Sequence, residues 1–209
     1  MPDTQAYIKY REQLPPLLDR YVNESHKNIL IFGDKFEHLE AKWQEQGKNV
    51  VNLKNIKSDW SENITNFNFE KTTFDLLISY HGIEKAINPE KLLLELRKPL
   101  IKSADFICIT YNVTHISSLV NLFTEGWEKK DDGALRNNSL KYFSYDSLKH
   151  LLKLTGFDLV GEDIYAFQEQ TEMTRQLMAF TKNPYLNALS FILRTKKVDG
   201  FPFIEGTYP

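Results

Sequence analysis

The sequence lacks the features that a disulfide-bonded, thiolate-metal or membrane-spanning protein needs. It contains a single cysteine, Cys108, which excludes an internal disulfide and a cluster of thiolate ligands for zinc. Its apolar runs fall well short of the ~20 residues of a membrane-spanning helix. Its first residues, MPDTQAYIKYREQLPPLL, do not have the charged-then-apolar pattern of a signal peptide. We therefore expect a soluble, cytoplasmic protein without a membrane span.

The sequence also lacks an excess of positively or negatively charged residues. The 209 residues include 26 Lys and Arg against 28 Asp and Glu, so the formal net charge is -2. A general nucleic-acid binder carries a basic excess, and we therefore expect no nucleic-acid partner. The length suits one domain, expected at residues 1–198, followed by a short aromatic tail at residues 199–209. Such a tail docks either on its own domain or on a second subunit.

Short apolar runs alternate with longer amphipathic stretches along the chain. The apolar runs predict β-strands at residues 28–33, 49–54, 74–80, 104–110, 157–165 and 188–195. The first, third and fourth runs are almost continuously apolar, which is typical of strands with helices on both faces of the sheet. The amphipathic stretches predict helices at residues 5–21, 36–46, 89–100, 145–154 and 168–180.

This alternation of strands and helices indicates a doubly wound α/β sheet. In sheets of this kind, ligands bind beyond the carboxyl ends of the strands, where the strand order reverses. The loops that follow Gly33, Lys54 and Tyr80 are therefore the segments in which we expect functional residues.

Three segments resemble parts of the class I S-adenosylmethionine-dependent methyltransferases. The run NILIFGDKFEHLEAKWQEQGKNVVNLK resembles their opening strand, loop, helix and second strand. The run FDLLISYHGIEKAINPEKLLLELRKPL resembles their fourth strand and the helix after it. The run ITYNVTHISSLVNLFTEGWEKKDDGALRNNSLKYFSYDSLKHLLKLTGFDLV resembles the later part of a bacterial subgroup. The resemblance implies a Rossmann-like, mostly parallel sheet of seven strands with an antiparallel last strand, and S-adenosylmethionine as cofactor.

The resemblance breaks down at the positions where the family binds that cofactor. The first loop of the family reads G-x-G-x-G, and the matching positions here are Gly33, Lys35 and Glu37. The family places Asp or Glu at the end of its second strand to accept hydrogen bonds from the ribose hydroxyls. The matching residue here is Lys54, whose side chain has donors only. These substitutions indicate a degenerate cofactor site.

Other residues keep a polar crevice possible at the same place. Asp34 lies within the first loop, and Asp59 matches a position where an acidic residue often contacts the adenine amino group. Ser79, Tyr80 and His81 end the strand that resembles the fourth strand of the family. The candidate cofactor-binding residues are Gly33, Asp34, Lys35, Lys54, Asp59, Ser79 and Tyr80.

His81 has two interpretations. It is the candidate catalytic base, because an imidazole with a pKa near 6.5 titrates in a useful range. The second interpretation, a polar residue that caps a strand end, is the one that the sequence favours. The spacing of His81 and Glu84 could place both on a metal, but a metal site needs three or more ligands and no third is evident. We therefore expect no metal.

The sequence leaves three functions open. The first is a methyltransferase-like protein that has lost cofactor binding and serves as a binding or regulatory subunit, as a homo-oligomer or beside a partner enzyme. The second is an active methyltransferase with an atypical loop that acts on a small-molecule or sugar-related acceptor. In the third, the crevice binds an anionic ligand, with charge supplied by Lys35 and Lys54 and backbone N–H groups by the helix that starts near Phe36.

Overall fold

The computed structural model describes residues 3–34, 37–53, 73–128, 135–166 and 172–201. Its strands are β1 (Asn28–Gly33), β2 (Asn49–Asn52), β3 (Phe74–Tyr80), β4 (Leu100–Tyr111), β5 (Phe157–Ala166) and β6 (Ala188–Lys197). Its α-helices are α1 (Asp3–Asp19), α2 (Glu37–Glu45), α3 (Pro89–Arg97), α4 (Ile116–Thr124), α5 (Tyr145–Leu154) and α6 (Glu172–Thr181). A short 3-10 helix at Ile83–Lys85 follows β3.

The strands form one sheet in the order β2-β1-β3-β4-β6-β5. β1 pairs in parallel with β2 and β3, and β3 pairs in parallel with β4. β6 lies between β4 and β5 and is antiparallel to both. This confirms an α/β Rossmann-like sheet that is mostly parallel with an antiparallel last strand.

The predicted count of seven strands is not confirmed, because the described residues form six. β2 is the edge strand on its side of the sheet, and residues 54–72, which follow it closely, lie outside the described ranges. The helix α4 was not predicted, and the departures at the predicted elements concern their ends. β4 begins at Leu100, four residues before the predicted start, in spite of the polar residues Lys102 and Ser103.

The core has two layers, one on each face of the sheet. On one face, α1 contributes Tyr10, Leu14 and Leu18, which recur every fourth residue and so share one side of the helix. On the other face, α3 and α5 contribute a leucine-rich layer: Leu92, Leu93, Leu96, Leu148, Leu151 and Leu152. Cys108 is fully buried in that second layer, as the apolar run around it predicts.

Candidate functional site

The site is built where β1 and β3 end side by side. Gly33 and Tyr80 are register partners at the carboxyl ends of these strands. The backbone N–H of Asp34 donates to the carbonyl oxygen of Tyr80 at 2.7 Å, so the two loops leave the sheet in direct contact. Gly33 has a φ of 113°, a conformation that favours glycine because it has no Cβ. We call the space beyond Gly33, Asp34, Tyr80 and His81 the crevice.

A carboxylate and two cations meet in the crevice. Nη1 of Arg136 donates to Oδ2 of Asp34 at 2.7 Å, and Nζ of Lys85 donates to Oδ1 of the same carboxylate. Burial acts to raise the pKa of Asp34, but Arg136, His81 and Lys85 together hold it below its ordinary value. Asp34 is therefore an anion that joins the end of β1 to the 3-10 helix and to Arg136.

Arg136 is buried, with 7% of its surface exposed. Its Nη2 donates to the carbonyl oxygen of His81 at 3.5 Å, and its guanidinium carbon lies 5.7 Å from the ring centre of Tyr111. Burial acts to lower the pKa of Arg136, but Asp34 and Glu84 raise it above its ordinary value. This cation is thus fixed over the ends of β1, β3 and β4.

His81 lies beneath Arg136 with 1% of its surface exposed. Its Nδ1 is 3.2 Å from Oε1 of Glu84, and its Nε2 is 2.9 Å from the hydroxyl oxygen of Tyr10 on α1. Its ring stacks on Tyr111 with a centroid distance of 3.9 Å. Burial lowers the pKa of His81, an effect that Glu84 opposes. The backbone at His81 has a positive φ of 48°, which these surrounding contacts maintain.

The hydrogen bonds continue from His81 in both directions. The Tyr10 hydroxyl donates to Oγ of Ser190 on β6 at 2.8 Å, and Ser190 donates to the carbonyl oxygen of Thr110 at 2.9 Å. Oε1 of Glu84 accepts the backbone N–H of Tyr111 at 2.9 Å. Burial acts to raise the pKa of Glu84, but His81 holds it below its ordinary value. This network joins α1 to the ends of β3, β4 and β6.

The structure brings four of the predicted site residues together: Gly33, Asp34, Tyr80 and His81. Ser79 is fully buried, and strand alternation places it on the opposite face of the sheet from Tyr80. Lys35, Lys54 and Asp59 lie outside the described residues.

Sequence reasoning missed Arg136, Lys85 and Tyr10 as members of the site. Arg136 follows β3 by more than fifty residues, and only tertiary structure brings it to Asp34. Lys85 lies in the short 3-10 helix after β3, where no pattern in the sequence marks it as a site residue. The pattern of α1 does identify Tyr10 as a core residue, since it starts the buried series that continues with Leu14 and Leu18.

The described residues contain no cluster of three or more His, Cys, Asp or Glu side chains that could hold a metal ion. His81 and Glu84 face each other instead, as their spacing allows. In the part of the chain that the structure describes, there is also no helix that is both long and apolar enough to span a membrane.

No protein-family model matches the sequence, and the comparison with curated proteins finds no significant match. Solved structures do match. A SAM-dependent methyltransferase from Archaeoglobus fulgidus is 18% identical, with 90% of this chain and 94% of that chain covered and a TM-score of 0.59. A Haloferax volcanii methyltransferase in complex with a methyltransferase activator is 11% identical, with coverages of 82% and 83% and a TM-score of 0.51.

A third match has its ligands bound. It is the 1,6-didemethyltoxoflavin-N1-methyltransferase of Burkholderia thailandensis, with 1,6-didemethyltoxoflavin and S-adenosylhomocysteine. It is 12% identical, with 82% of this chain and 71% of that chain covered and a TM-score of 0.50. Identities this low establish the fold alone. This chain therefore has the fold of the class I S-adenosylmethionine-dependent methyltransferases.

Proposed function

We propose that this protein is a methyltransferase-fold protein with a degenerate S-adenosylmethionine site, and that it acts as a non-catalytic binding or regulatory subunit. The observation that carries the proposal is the cluster of Asp34, Lys85 and Arg136 in the crevice. The cluster crosses the loops after β1 and β3, where the resembled family binds the methionine part of its cofactor.

The charges of the cluster do not fit that cofactor. S-adenosylmethionine carries a carboxylate and two cations, a sulfonium and an ammonium, and the two cations need acceptors or a negative potential. Here the carbonyl oxygen of Tyr80 already accepts from Asp34, and that of His81 accepts from Arg136. The Asp34 carboxylate already binds two cations. In the sequence, two further lysines add positive charge: Lys35 follows β1, and Lys54 follows β2. The sulfonium and ammonium of the cofactor would therefore meet acceptors that already receive a hydrogen bond, beside two fixed cations.

The surroundings of His81 support the same proposal. A general base must come within hydrogen-bond reach of the proton that it removes. His81 is buried, and both of its ring nitrogens lie within hydrogen-bond distance of Tyr10 or Glu84. We therefore propose that His81 holds α1 against the sheet rather than removing a proton from an acceptor substrate.

An exposed apolar helix supports the partner part of the proposal. α4 contains no charged residue, and its Phe123 is 86% exposed. Val120 and Leu122 on α4, and Trp127 just beyond it, are also exposed. Exposed apolar surface of this kind marks protein interaction sites. We propose that this surface, which we call the α4 surface, is covered by a second copy of the chain.

The alternative function is an active methyltransferase with an atypical cofactor loop. The geometry of Gly33 favours it, because the positive φ and the contact with Tyr80 preserve the close backbone approach for which the family uses its first glycine. Methyl transfer depends chiefly on orientation, so the absence of an accessible base does not forbid it. Gly33, Asp59 and His81 would then be the remaining site residues.

Calorimetric titration and thermal unfolding with S-adenosylmethionine and S-adenosylhomocysteine distinguish the two functions. A ligand at one hundred times its Kd stabilises a protein by about 2.7 kcal/mol. The degenerate site predicts no saturable heat and no shift in Tm at millimolar ligand. Saturable binding in the micromolar range would contradict the proposal and establish the alternative.

A designed variant tests whether the substitutions themselves prevent binding. Lys35→Gly, Glu37→Gly and Lys54→Asp together restore the glycines and the carboxylate of the family pattern. We expect this variant to bind S-adenosylhomocysteine only when Arg136→Gln is added, because Arg136 still occupies the crevice in its absence. Binding by the variant that retains Arg136 would show that the charge cluster is compatible with the cofactor.

A further inference from the structure

We propose that Lys85 and Arg136 form a binding site for a small oxyanion, a carboxylate or a phosphate, and that the Asp34 carboxylate fills this site from within the chain. The proposal rests on the proposed function, because in a crevice that bound S-adenosylmethionine the methionine carboxylate of the cofactor would compete for the same two cations. It names the ligand class that the altered crevice would accept.

The two cations converge on a single group. Nζ of Lys85 and Nη1 of Arg136 donate to different oxygens of the Asp34 carboxylate. An ammonium and a guanidinium directed at two oxygens of one planar anion make the arrangement by which proteins bind carboxylates and phosphates. Asp34 therefore holds the position that the oxygens of such a ligand would take.

Arg136 is buried and held in a fixed position, as a binding group must be, and one of its N–H donors has no described partner. Only 7% of its surface is exposed, and its guanidinium is held by the His81 carbonyl oxygen and lies over the Tyr111 ring. A guanidinium has five N–H donors. Its Nε is buried and has no hydrogen-bond partner among the described residues. A buried donor without a partner costs free energy.

The site is open on the side of Asp34. The Asp34 side chain is 30% exposed and that of Lys85 is 15% exposed, whereas that of Arg136 is 8% exposed. A ligand that arrives from solvent therefore meets Asp34 and Lys85 first, with Arg136 at the inner end. The second carboxylate nearby, Glu84, is turned to His81 and to the backbone of Tyr111 and does not bond to Lys85 or Arg136 in the described contacts.

The test removes the internal anion. Asp34→Asn keeps the size of the side chain but leaves Lys85 and Arg136 without their carboxylate. Titration with inorganic phosphate and with malonate, at ionic strength matched with sodium chloride, should then give saturable binding about tenfold tighter than in the wild type. Asp19→Asn is the matched control, because Asp19 also accepts from a lysine, Lys42, and from Trp43, and its side chain is 29% exposed against 30% for Asp34.

Two further variants keep the test decisive. Asp34→Asn combined with Arg136→Gln should lose the phosphate response, and Asp34→Ser repeats the test if the asparagine variant does not fold. The proposal is overturned if the Asp34 variants respond to phosphate no more than Asp19→Asn, or if the response survives Arg136→Gln. Titration of the wild type with S-adenosylmethionine tests the proposed function alone. Saturable binding would contradict that function, whereas the oxyanion site would still be judged by the phosphate titrations of the Asp34 variants.

Discussion

A Cβ atom on Gly33 would lie 2.0 Å from the carbonyl oxygen of Tyr80. Real Cβ atoms do not approach so closely, so no other residue fits this position without moving the backbone of β1 or β3. Gly33 also has a φ of 113°, where L-residues are strained. The contact fixes the loop after β1 against the end of β3, and everything in the crevice is placed relative to it.

Gly33→Ala should therefore destabilise the protein by about 3 kcal/mol or more, since both strain and a backbone clash oppose it. Urea unfolding measures the change. The control is Gly47→Ala, because Gly47 also has a positive φ of 79° but open space where its Cβ would lie. We expect that control to cost about 1 kcal/mol. Equal costs for the two variants would mean that the contact with Tyr80 is not tight in solution.

Tyr10→Phe tests the buried network. The change leaves the packing of the ring and removes the hydroxyl that bridges His81 and Ser190, so the free energy of unfolding should fall by about 1–3 kcal/mol. Tyr165→Phe is the control, because its hydroxyl donates to Gln13 at an exposed position. A loss of stability no larger than that of the control would show that water replaces the Tyr10 hydroxyl without cost.

His115 predicts a dependence of stability on pH. Burial lowers the pKa of His115 to about 4, while an unfolded histidine titrates near 6.5. At a pH between these two pKa values, His115 is protonated in the unfolded chain and neutral in the folded chain. Stability should therefore fall as the pH decreases from about 6.5 to 4, by at most about 1.4 kcal/mol per pH unit for this group. Burial also lowers the pKa of His81, which contributes in the same direction.

His115→Asn isolates that contribution. Asparagine keeps an acceptor at the N-cap of α4, where the His115 side chain accepts from the backbone N–H of Ser117, but it does not titrate. Unfolding free energies at pH 7 and pH 5 should differ less in this variant than in the wild type. His150→Asn, at an exposed position on α5, controls for the removal of a histidine. An unchanged pH dependence in His115→Asn would contradict the prediction.

Phe123→Glu tests the α4 surface. Because Phe123 is 86% exposed, the substitution should change the free energy of unfolding by no more than about 0.5 kcal/mol. Light scattering should show the wild type associating above its monomer mass of 24.5 kDa, and the variant should remain monomeric. Phe180→Glu on α6 is the control, since Phe180 is equally exposed. A wild type that stays monomeric at high concentration would exclude a second copy as the occupant.

The sequence predicts the buried strands well, because their apolar runs are continuous and end at turn residues. The predicted bounds of β1 and β3 are those of the structure. The helix α4 was missed, although Ile116, Leu119, Val120 and Phe123 follow the helical repeat. These apolar residues are partly or largely exposed in the structure, so this helix does not belong to the buried core whose elements the sequence predicts best.

The site was predictable only where local backbone geometry determines it. Gly33 could be identified because a glycine at the end of a buried strand indicates a tight turn, which depends on the residues next to it in the sequence. The cluster that fills the crevice could not, because Arg136 meets Asp34 through the packing of a distant segment. Whether a lysine such as Lys85 faces solvent or an aspartate depends on which loops come together, and sequence spacing carries no information about that.

The position of β6 between β4 and β5 has a consequence for the order in which the sheet can assemble during translation. β5 is synthesised before β6 but, among the strands that the structure describes, pairs only with β6. Until residues Ala188–Lys197 leave the ribosome, β5 has no strand to join, and the edge of β4 that contains Phe106 and Cys108 stays uncovered. A nascent chain stalled before Ala188 would thus lack two strands of its described sheet rather than one, and the edge of β4 would stay exposed to pairing with other chains.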